Sequence, residues 1–172
     1  MAQIQIVKGD LFDSKSNVLL LPYDGMNKKF EGNLISAFKK VYPDWNEVAR
    51  EVEEVPVNLG HILPVPIYDF RDFKQVILCS THAHLPGNTG TAAFKSYVSS
   101  CVFKSLEWAL RNHFSNAASA VMGGGWRLGF IDALYAMAEG VRRAKGNIIL
   151  IISIPKESDL KDARDIIRQA GF

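Results

Sequence analysis

The chain has 172 residues with 20 basic and 18 acidic side chains, and its net charge of +2 argues against binding long polyanions along a basic face. Apolar residues make up 48% and charged residues 22%, which excludes a disordered chain and predicts one globular domain over residues 1–172. The opening residues lack the pattern of a signal peptide, and the longest apolar run, 148–152, is too short to span a bilayer. We therefore expect a cytoplasmic protein without membrane association.

The first part of the chain predicts two strands followed by two helices. Residues 3–9 alternate isoleucine with polar neighbours, which indicates a half-exposed strand, and the apolar run 17–23 indicates a strand covered on both faces. The apolar spacing that follows predicts a helix with Asn33 as its N-cap and Pro43 as its stop. A second helical piece is predicted over 44–54.

The middle of the chain predicts an edge strand, a buried strand and a long helix. Residues 61–70 are extended, and their prolines favour the edge of a sheet. Residues 74–81 form a buried apolar strand, and a turn is predicted over 84–90. The apolar positions of 91–114 have the spacing of one long amphipathic helix.

The last part alternates strands with helices. A short strand of small residues is predicted over 118–122, and a helix over 130–145 ends at Gly146. Residues 147–153 predict the last central strand, after which Ser158 caps a final helix.

This alternation of buried strands with helices predicts a three-layer α/β sandwich. In such folds ligands bind outside the carboxyl ends of the strands, which directs attention to the connections that follow them. Those connections are 23–33, 81–91, 122–130 and 154–158.

The connection 123–129, GGGWRLG, joins a predicted strand to a predicted helix. Consecutive glycines let backbone amides converge on one anion, and the helix that begins near Phe130 adds a partial positive charge. Arg127 offers a counter-charge and Trp126 a flat wall. The alternative is a tight turn that needs positive φ angles without any ligand.

The connection after residues 17–23 contains polar groups that could orient a sugar: Asp24, Asn27, Glu31 and Asn33. The alternative for each of them is an ordinary solvated loop residue. The buried strand 74–81 leads into two histidines, His82 and His84, which face the same side in extended geometry. They could hold a metal, but no third and fourth ligand is evident, so hydrogen-bonded histidines are the better interpretation and we expect no metal. His82 could also act as an acid or base near neutral pH.

Three familiar catalytic motifs are absent from the sequence. The chain lacks G-x-S-x-G, G-x-x-x-x-G-K-[ST] and H-E-x-x-H, which counts against serine hydrolases of the nucleophile-elbow type, P-loop NTPases and zincins. We expect no cofactor.

Four segments, in the same order along the chain, resemble the macrodomain family, which binds ADP-ribose. The segments are IQIVKGDLFD (4–13), NVLLLPYDGM (17–26), FEGNLISAFKKVYP (30–43) and VMGGGWRLGF (121–130). Within the family the chain is most similar to the branch that includes the terminal ADP-ribose protein glycohydrolase and its bacterial antitoxin relatives. The resemblance implies a three-layer α/β/α sandwich with a mixed central sheet.

The resemblance also assigns roles to individual residues. Asp10 would bond the adenine amino group, and Leu11 would lie against the base. Backbone amides would hold the diphosphate from two sides, the first formed by Gly32, Asn33 and Leu34. The second side would be formed by Gly123, Gly124, Gly125 and Trp126, with Arg127 beside them.

Several positions depart from the family pattern. The glycohydrolase branch ends its middle strand with a lysine that forms an adduct with the sugar, whereas this chain has His82 in that region. Histidine cannot form that stable imine. The branch has an acidic residue just after G-x-G-x, where Arg127 stands here, and many hydrolytic macrodomains use an asparagine near the place of Asp24. Glu31 brings an acidic side chain close to the expected phosphates.

Three functions follow as hypotheses. The first is a module that binds or senses ADP-ribose or a related nucleotide. The second is a hydrolase that removes ADP-ribose from an ADP-ribosylated macromolecule, with Asp24 or His82 orienting or activating water. The third is a scaffold without a ligand, motivated by Glu31 and Arg127 at the expected phosphate loops.

Overall fold

A computed structural model of the chain describes residues 1–84, 91–123 and 128–172. Within these residues the strands are β1 (Gln3–Lys8), β2 (Val18–Tyr23), β3 (Ile62–Phe70), β4 (Phe73–Ser80), β5 (His82–His84), β6 (Thr91–Ala93), β7 (Asn116–Ser119) and β8 (Ile149–Ile154). The helices are α1 (Asn33–Val41), α2 (Trp45–Glu54), α3 (Lys95–Arg111), α4 (Phe130–Arg143) and α5 (Glu157–Gln169), with a 3₁₀ turn over Leu11–Asp13. None of the described helices is long and apolar enough to cross a membrane.

The central sheet has six strands in the order β1-β8-β7-β2-β4-β3. All neighbours run parallel except β3, which is antiparallel to β4 and lies at the edge. This position suits Pro64 and Pro66, which have no N–H to donate to a further strand. The sheet is therefore mixed, and the predicted edge position of residues 61–70 is confirmed.

Two apolar cores lie on opposite faces of the sheet. Strand β2 shows the alternation most clearly, because Val18 and Leu20 belong to the core under α3, α4 and α5. Leu19 and Leu21 face the other way, into the core under α1 and α2. A strand buried on both faces appears in sequence as a continuous apolar run, and the predicted three-layer α/β/α sandwich is confirmed.

The predicted caps of two helices are wrong. Helix α1 begins at Asn33 itself, and its N-cap is Gly32, with φ +127°. Only glycine adopts that backbone conformation readily. The start of α1 is therefore set by the backbone conformation at Gly32 and not by a capping side chain. Helix α5 begins before Ser158, with Lys156 as its N-cap in an extended conformation.

Two other predicted elements have different bounds. Residues 91–93 pair antiparallel with His82–His84 as a small second sheet, so the helix predicted over 91–114 begins only at Lys95. The strand predicted over 118–122 is wrong in its bounds, because β7 begins earlier. The Oδ1 atom of Asn116 accepts from Ser16 Oγ at 3.0 Å and fixes the start of β7. The predicted turn falls mostly on residues 85–90, outside the described part of the chain.

Helix α4 has a C-cap other than the one predicted. Helix α4 ends at Arg143 with Ala144 as its C-cap, so Gly146 does not end it. A Cβ atom on Gly146 would stand 2.6 Å from Leu110 Cδ1, so this glycine permits close packing against α3. The predicted last central strand is confirmed as β8, which lies between β1 and β7.

Candidate ligand-binding site

A cavity of about 430 Å³ opens at the carboxyl edge of the sheet, where three connections meet. Its walls come from the segments that follow β2, β4 and β7. The described residues that line it are Pro22, Gly32, Asn33, Leu34, His82, Ala120, Val121 and Gly123. The volume is in the range typical of sites for small molecules, which lie at this edge in parallel α/β sheets.

The first wall is the N-terminus of α1. Ser36 N donates to Gly32 O at 2.8 Å, so the helical hydrogen bonds begin here, and no side chain caps the turn. The amides of the first turn have no acceptor within the helix. They stand at the positive end of the helix dipole, and Gly32, Asn33 and Leu34 line the cavity. This wall can therefore bind an anion through the backbone.

The facing wall follows β7 and ends in the first glycine of the triple-glycine segment. Gly123 has φ +86°, a conformation that favours glycine. The amide of Met122 donates to Met137 Sδ at 3.4 Å, which ties this wall to α4. The other residues predicted here, Gly124, Gly125, Trp126 and Arg127, lie outside the described residues. The structure thus brings Gly123 and the first residues of α1 to one cavity, and the ligand contacts of the whole segment stay a prediction.

His82 forms a buried part of the cavity wall, with only 3% of its surface exposed. Its Nδ1 atom shares a hydrogen bond with Thr81 Oγ1 at 3.1 Å, which orients the ring. Burial lowers the pKa of His82 to about 4, and the opposing attraction of the Asp24 carboxylate is the smaller effect. The imidazole is therefore neutral at neutral pH and can both donate and accept hydrogen bonds.

Asp24 is also buried, and a tight turn holds its carboxylate in place. Oδ1 accepts from Asn27 N at 3.1 Å, and Oδ2 accepts from Asn27 Nδ2 at 2.8 Å. Lys29 N donates to Asp24 O at 3.0 Å and closes the turn. The sequence indicates this turn, because the pattern Asp-Gly-x-Asn is typical of turns that side chains stabilise. The carboxylate of Asp24 acts on the pKa of His82, so the two predicted catalytic residues interact electrostatically.

The predicted adenine-binding residues, Asp10 and Leu11, are not among the described residues that line this cavity. Asp10 Oδ1 accepts from Phe12 N at 2.8 Å and caps the 3₁₀ turn. Its side chain lines a different cavity, of about 470 Å³, together with Gln5 and Val7 of β1. Leu11 is buried in the core under α1 and α2. Their roles toward a base stay predictions.

Three apolar lining residues were missed in the sequence: Pro22, Ala120 and Val121. Pro22 precedes the end of β2, and the two others follow β7, so their positions depend on where the strands end. The boundary error at β7 explains why residues 120 and 121 were assigned to a strand. Among the described residues, no group of three histidine, cysteine or acidic side chains comes together as a metal site would require.

Comparisons with known proteins support the fold, although the sequences that share it are not closely similar to this one. No protein-family model matches the chain, and no curated protein matches it either. Solved structures do match. The macrodomain of Thermus aquaticus DarG aligns with TM-score 0.73 and 15% identity, over 90% of this chain and 100% of its own.

Two further matches contain a nucleotide. The Oceanobacillus iheyensis macrodomain with ADP aligns with TM-score 0.75 and 12% identity, over 96% of this chain and 90% of its own. Thermosipho africanus DarTG in complex with ADP-ribose aligns with TM-score 0.70 and 14% identity, over 92% of this chain and 44% of its own.

These alignments define the class of the fold: the chain has the macrodomain fold, as its sequence motifs predicted.

Proposed function

We propose that this chain binds ADP-ribose or a related nucleotide through its diphosphate, as a binding or sensing module. One observation carries the proposal. The uncapped first turn of α1 and the backbone at Gly123 line the same cavity at the carboxyl edge of the sheet. Backbone from two connections around one space suits a diphosphate, whose two phosphates need donors from more than one side.

The solved structures with this fold support the same ligand class. One is a macrodomain with ADP, and another is DarTG in complex with ADP-ribose. The cavity of about 430 Å³ has room for the diphosphate and an attached sugar. The described residues that line the cavity include no lysine or arginine. Among them, the positive electrostatic potential therefore comes from the backbone amides and the dipole of α1.

Titration calorimetry with ADP-ribose tests the proposal, with Gly123→Ala as the variant. Alanine at φ +86° strains the loop and moves its amides, so we expect binding to weaken at least about tenfold. Gly171→Ala is the matched control, because Gly171 has φ +89° and its added Cβ meets nothing within 4 Å. Gly171 lies at the end of the chain, so the affinity of the Gly171→Ala protein for ADP-ribose should equal that of the parent. Absence of binding by the parent at millimolar ADP-ribose would favour the scaffold hypothesis.

Removal of ADP-ribose from an ADP-ribosylated macromolecule is a second candidate function. It is favoured by His82 in the cavity wall, because its neutral imidazole can accept a proton from water and the Asp24 carboxylate acts on its pKa. Release of ADP-ribose from a modified substrate, with Asp24→Ala and His82→Gln as variants, is the measurement. Loss of release with binding retained would support hydrolysis, and no release by the parent would leave the binding function alone.

A further inference from the structure

The two edges of the central sheet differ in how they are protected against a further strand. At the β3 edge, Pro64 and Pro66 offer no N–H donors, and the register with β4 shifts between Pro66 and Phe70. The other edge is β1, QIQIVK, whose one strand neighbour among the described residues is β8. Strand β1 contains no proline, and its register with β8 is continuous from Gln3 to Lys8. The β1 edge therefore has the features of a site for strand addition, and the β3 edge does not.

Alternate residues of β1 direct their backbone groups away from the sheet. Gln3 N donates to Ile148 O at 2.9 Å, so the odd-numbered residues of β1 bond β8. Because a strand in a parallel ladder bonds one neighbour through alternate residues, the N–H and C=O groups of Ile4 and Ile6 point to the outer side. Both isoleucine side chains pack against the core under α3, α4 and α5 but are only partly buried. A strand added here would gain backbone hydrogen bonds and cover apolar surface.

The charge on β1 lies at one end of the strand. Gln3 and Gln5 are exposed and uncharged, and Lys8, the last residue, forms an ion pair with Glu157. If two copies of β1 paired in parallel, their Lys8 side chains would lie side by side, which is unfavourable. In an antiparallel pair the two Lys8 side chains lie at opposite ends of the shared ladder. The charge pattern thus favours antiparallel pairing of β1 with itself.

An antiparallel pair of β1 strands centred on Gln5 is self-complementary. Side chains that lie opposite each other in a sheet point to the same face, so even-numbered residues of one copy meet even-numbered residues of the other. With Gln5 opposite Gln5, Ile4 of each copy lies opposite Ile6 of the other. The outward backbone groups of these isoleucines then pair, and their side chains meet on the face covered by α3, α4 and α5. The two Gln5 amides, at the centre of the other face, can hydrogen-bond each other.

We propose that the β1 edge is an interaction surface for a second copy of this chain, which adds its own β1 antiparallel and joins the two six-stranded sheets into one. This pairing uses the open edge of both copies and leaves only the β3 edges, which Pro64 and Pro66 protect, so association ends at a closed dimer. Gln5 is not among the described residues that line the candidate ligand cavity, so the inference is independent of the proposed function.

The size of the interface sets the expected strength of the dimer. The six residues of β1 extend about 20 Å, so a ladder of this length lies at the small end of specific protein interfaces. We therefore expect a dissociation constant on the order of 100 μM. Sedimentation equilibrium of the parent protein, up to about 1 mM, measures it.

Hydrogen exchange on the same samples locates the interface. The amides of Ile4 and Ile6 should exchange more slowly at high than at low protein concentration, because they donate to the second copy only in the dimer. A parent that stays monomeric at about 1 mM overturns the proposal. Growth beyond the dimer, or a dimer in which these two amides are not protected, overturns it as well. This measurement needs no variant.

Charge reversal at Gln5 tests the register. Gln5→Lys and Gln5→Glu each place like charges opposite each other, so each protein alone should dimerise at least about threefold more weakly than the parent. An equal mixture of the two should associate more strongly than either alone, because lysine then lies opposite glutamate. Tyr68→Lys is the matched control, since Tyr68 is 66% exposed on the β3 edge, and it should dimerise like the parent. Unchanged association of both Gln5 variants, or a mixture no stronger than its components, overturns the pairing centred on Gln5.

Discussion

The backbone of Gly25 lies directly against the side chain of Ser80, so that a Cβ atom built on Gly25 would stand 2.7 Å from Ser80 Oγ. The same Cβ would stand 2.7 Å from Val57 O, which accepts a hydrogen bond from Ser80 Oγ at 2.9 Å. This contact joins the turn that carries Asp24 to the end of β4, from which His82 follows. The position of the Asp24 side chain relative to that of His82 therefore depends on Gly25, which has no Cβ atom.

Gly25→Ala should accordingly affect both stability and the site. A methyl group cannot fit between Ser80 and the Val57 carbonyl, so we expect a loss of about 1–3 kcal/mol in the free energy of unfolding. Urea denaturation measures this loss, and calorimetry with ADP-ribose should show weaker binding in the folded variant. Gly171→Ala is the reference for backbone strain alone, because alanine at its φ of +89° is strained although nothing lies within 4 Å of the added Cβ. Unchanged stability of Gly25→Ala would show that the turn and β4 are not packed as described.

The layered fold could be predicted because its causes are local. Runs such as 17–23 are apolar on both faces, and the helices that cover them have regular apolar spacing, so the sandwich follows from periodicity. The helix starts could not be predicted in the same way. Asn33 and Ser158 are better caps by chemistry than Gly32 and Lys156, but the path by which the chain enters each helix decides the boundary.

The candidate site could be predicted in part. Two connections were expected to meet at the carboxyl edge of the sheet, and Gly32 and Gly123 do line one cavity. The proximity of Asp24 and His82 was not predictable, because it depends on the contact between Gly25 and Ser80, which are 55 positions apart in sequence. The pattern Asp-Gly-x-Asn indicates a turn but not the strand against which it packs.

His82 should make stability depend on pH in a specific window. Its pKa is about 4 in the folded protein and about 6.5 when unfolded, so below pH 6.5 the unfolded chain binds a proton that the native state does not. Stability is therefore lost as the pH falls from 6.5 to 4, by up to about 3 kcal/mol.

Urea denaturation at pH 7 and at pH 5 measures this contribution. The parent should lose more stability between these two values than His82→Gln does, by on the order of 2 kcal/mol. His113→Asn is the control, because His113 is exposed and its positive φ of 65° suits asparagine. Equal losses in the parent and in His82→Gln would contradict the burial of this imidazole.

Phe38 packs α1, whose first residues line the cavity, into the core under α1 and α2. Its ring packs against the rings of Phe12, Phe30, Tyr42 and Phe70, with centroids 5.2 to 6.3 Å apart. Phe38→Ala should lower the free energy of unfolding by about 3–5 kcal/mol, measured by denaturation. Affinity for ADP-ribose should fall in the protein that remains folded, because α1, whose first residues line the cavity, loses its aromatic packing.

Phe38→Leu is the control that keeps most of the apolar volume. It should cost clearly less stability than Phe38→Ala and should retain binding. If Phe38→Ala kept full affinity while losing stability, the position of the α1 amides would not depend on this packing.

Tyr23 ends β2 with a buried hydroxyl that has no hydrogen-bond partner among the described residues. Burial raises the pKa of Tyr23 well above its usual range, so the phenol stays protonated. An unsatisfied buried hydroxyl costs stability, so Tyr23→Phe should raise the free energy of unfolding by about 1 kcal/mol, measured by urea denaturation. Tyr135→Phe is the control, because the Tyr135 hydroxyl bonds Gln169 Oε1 at 3.0 Å on the surface and its loss should not stabilise. A destabilised Tyr23→Phe protein would mean that this hydroxyl has an acceptor after all, and the environment next to Asp24 would be more polar than described.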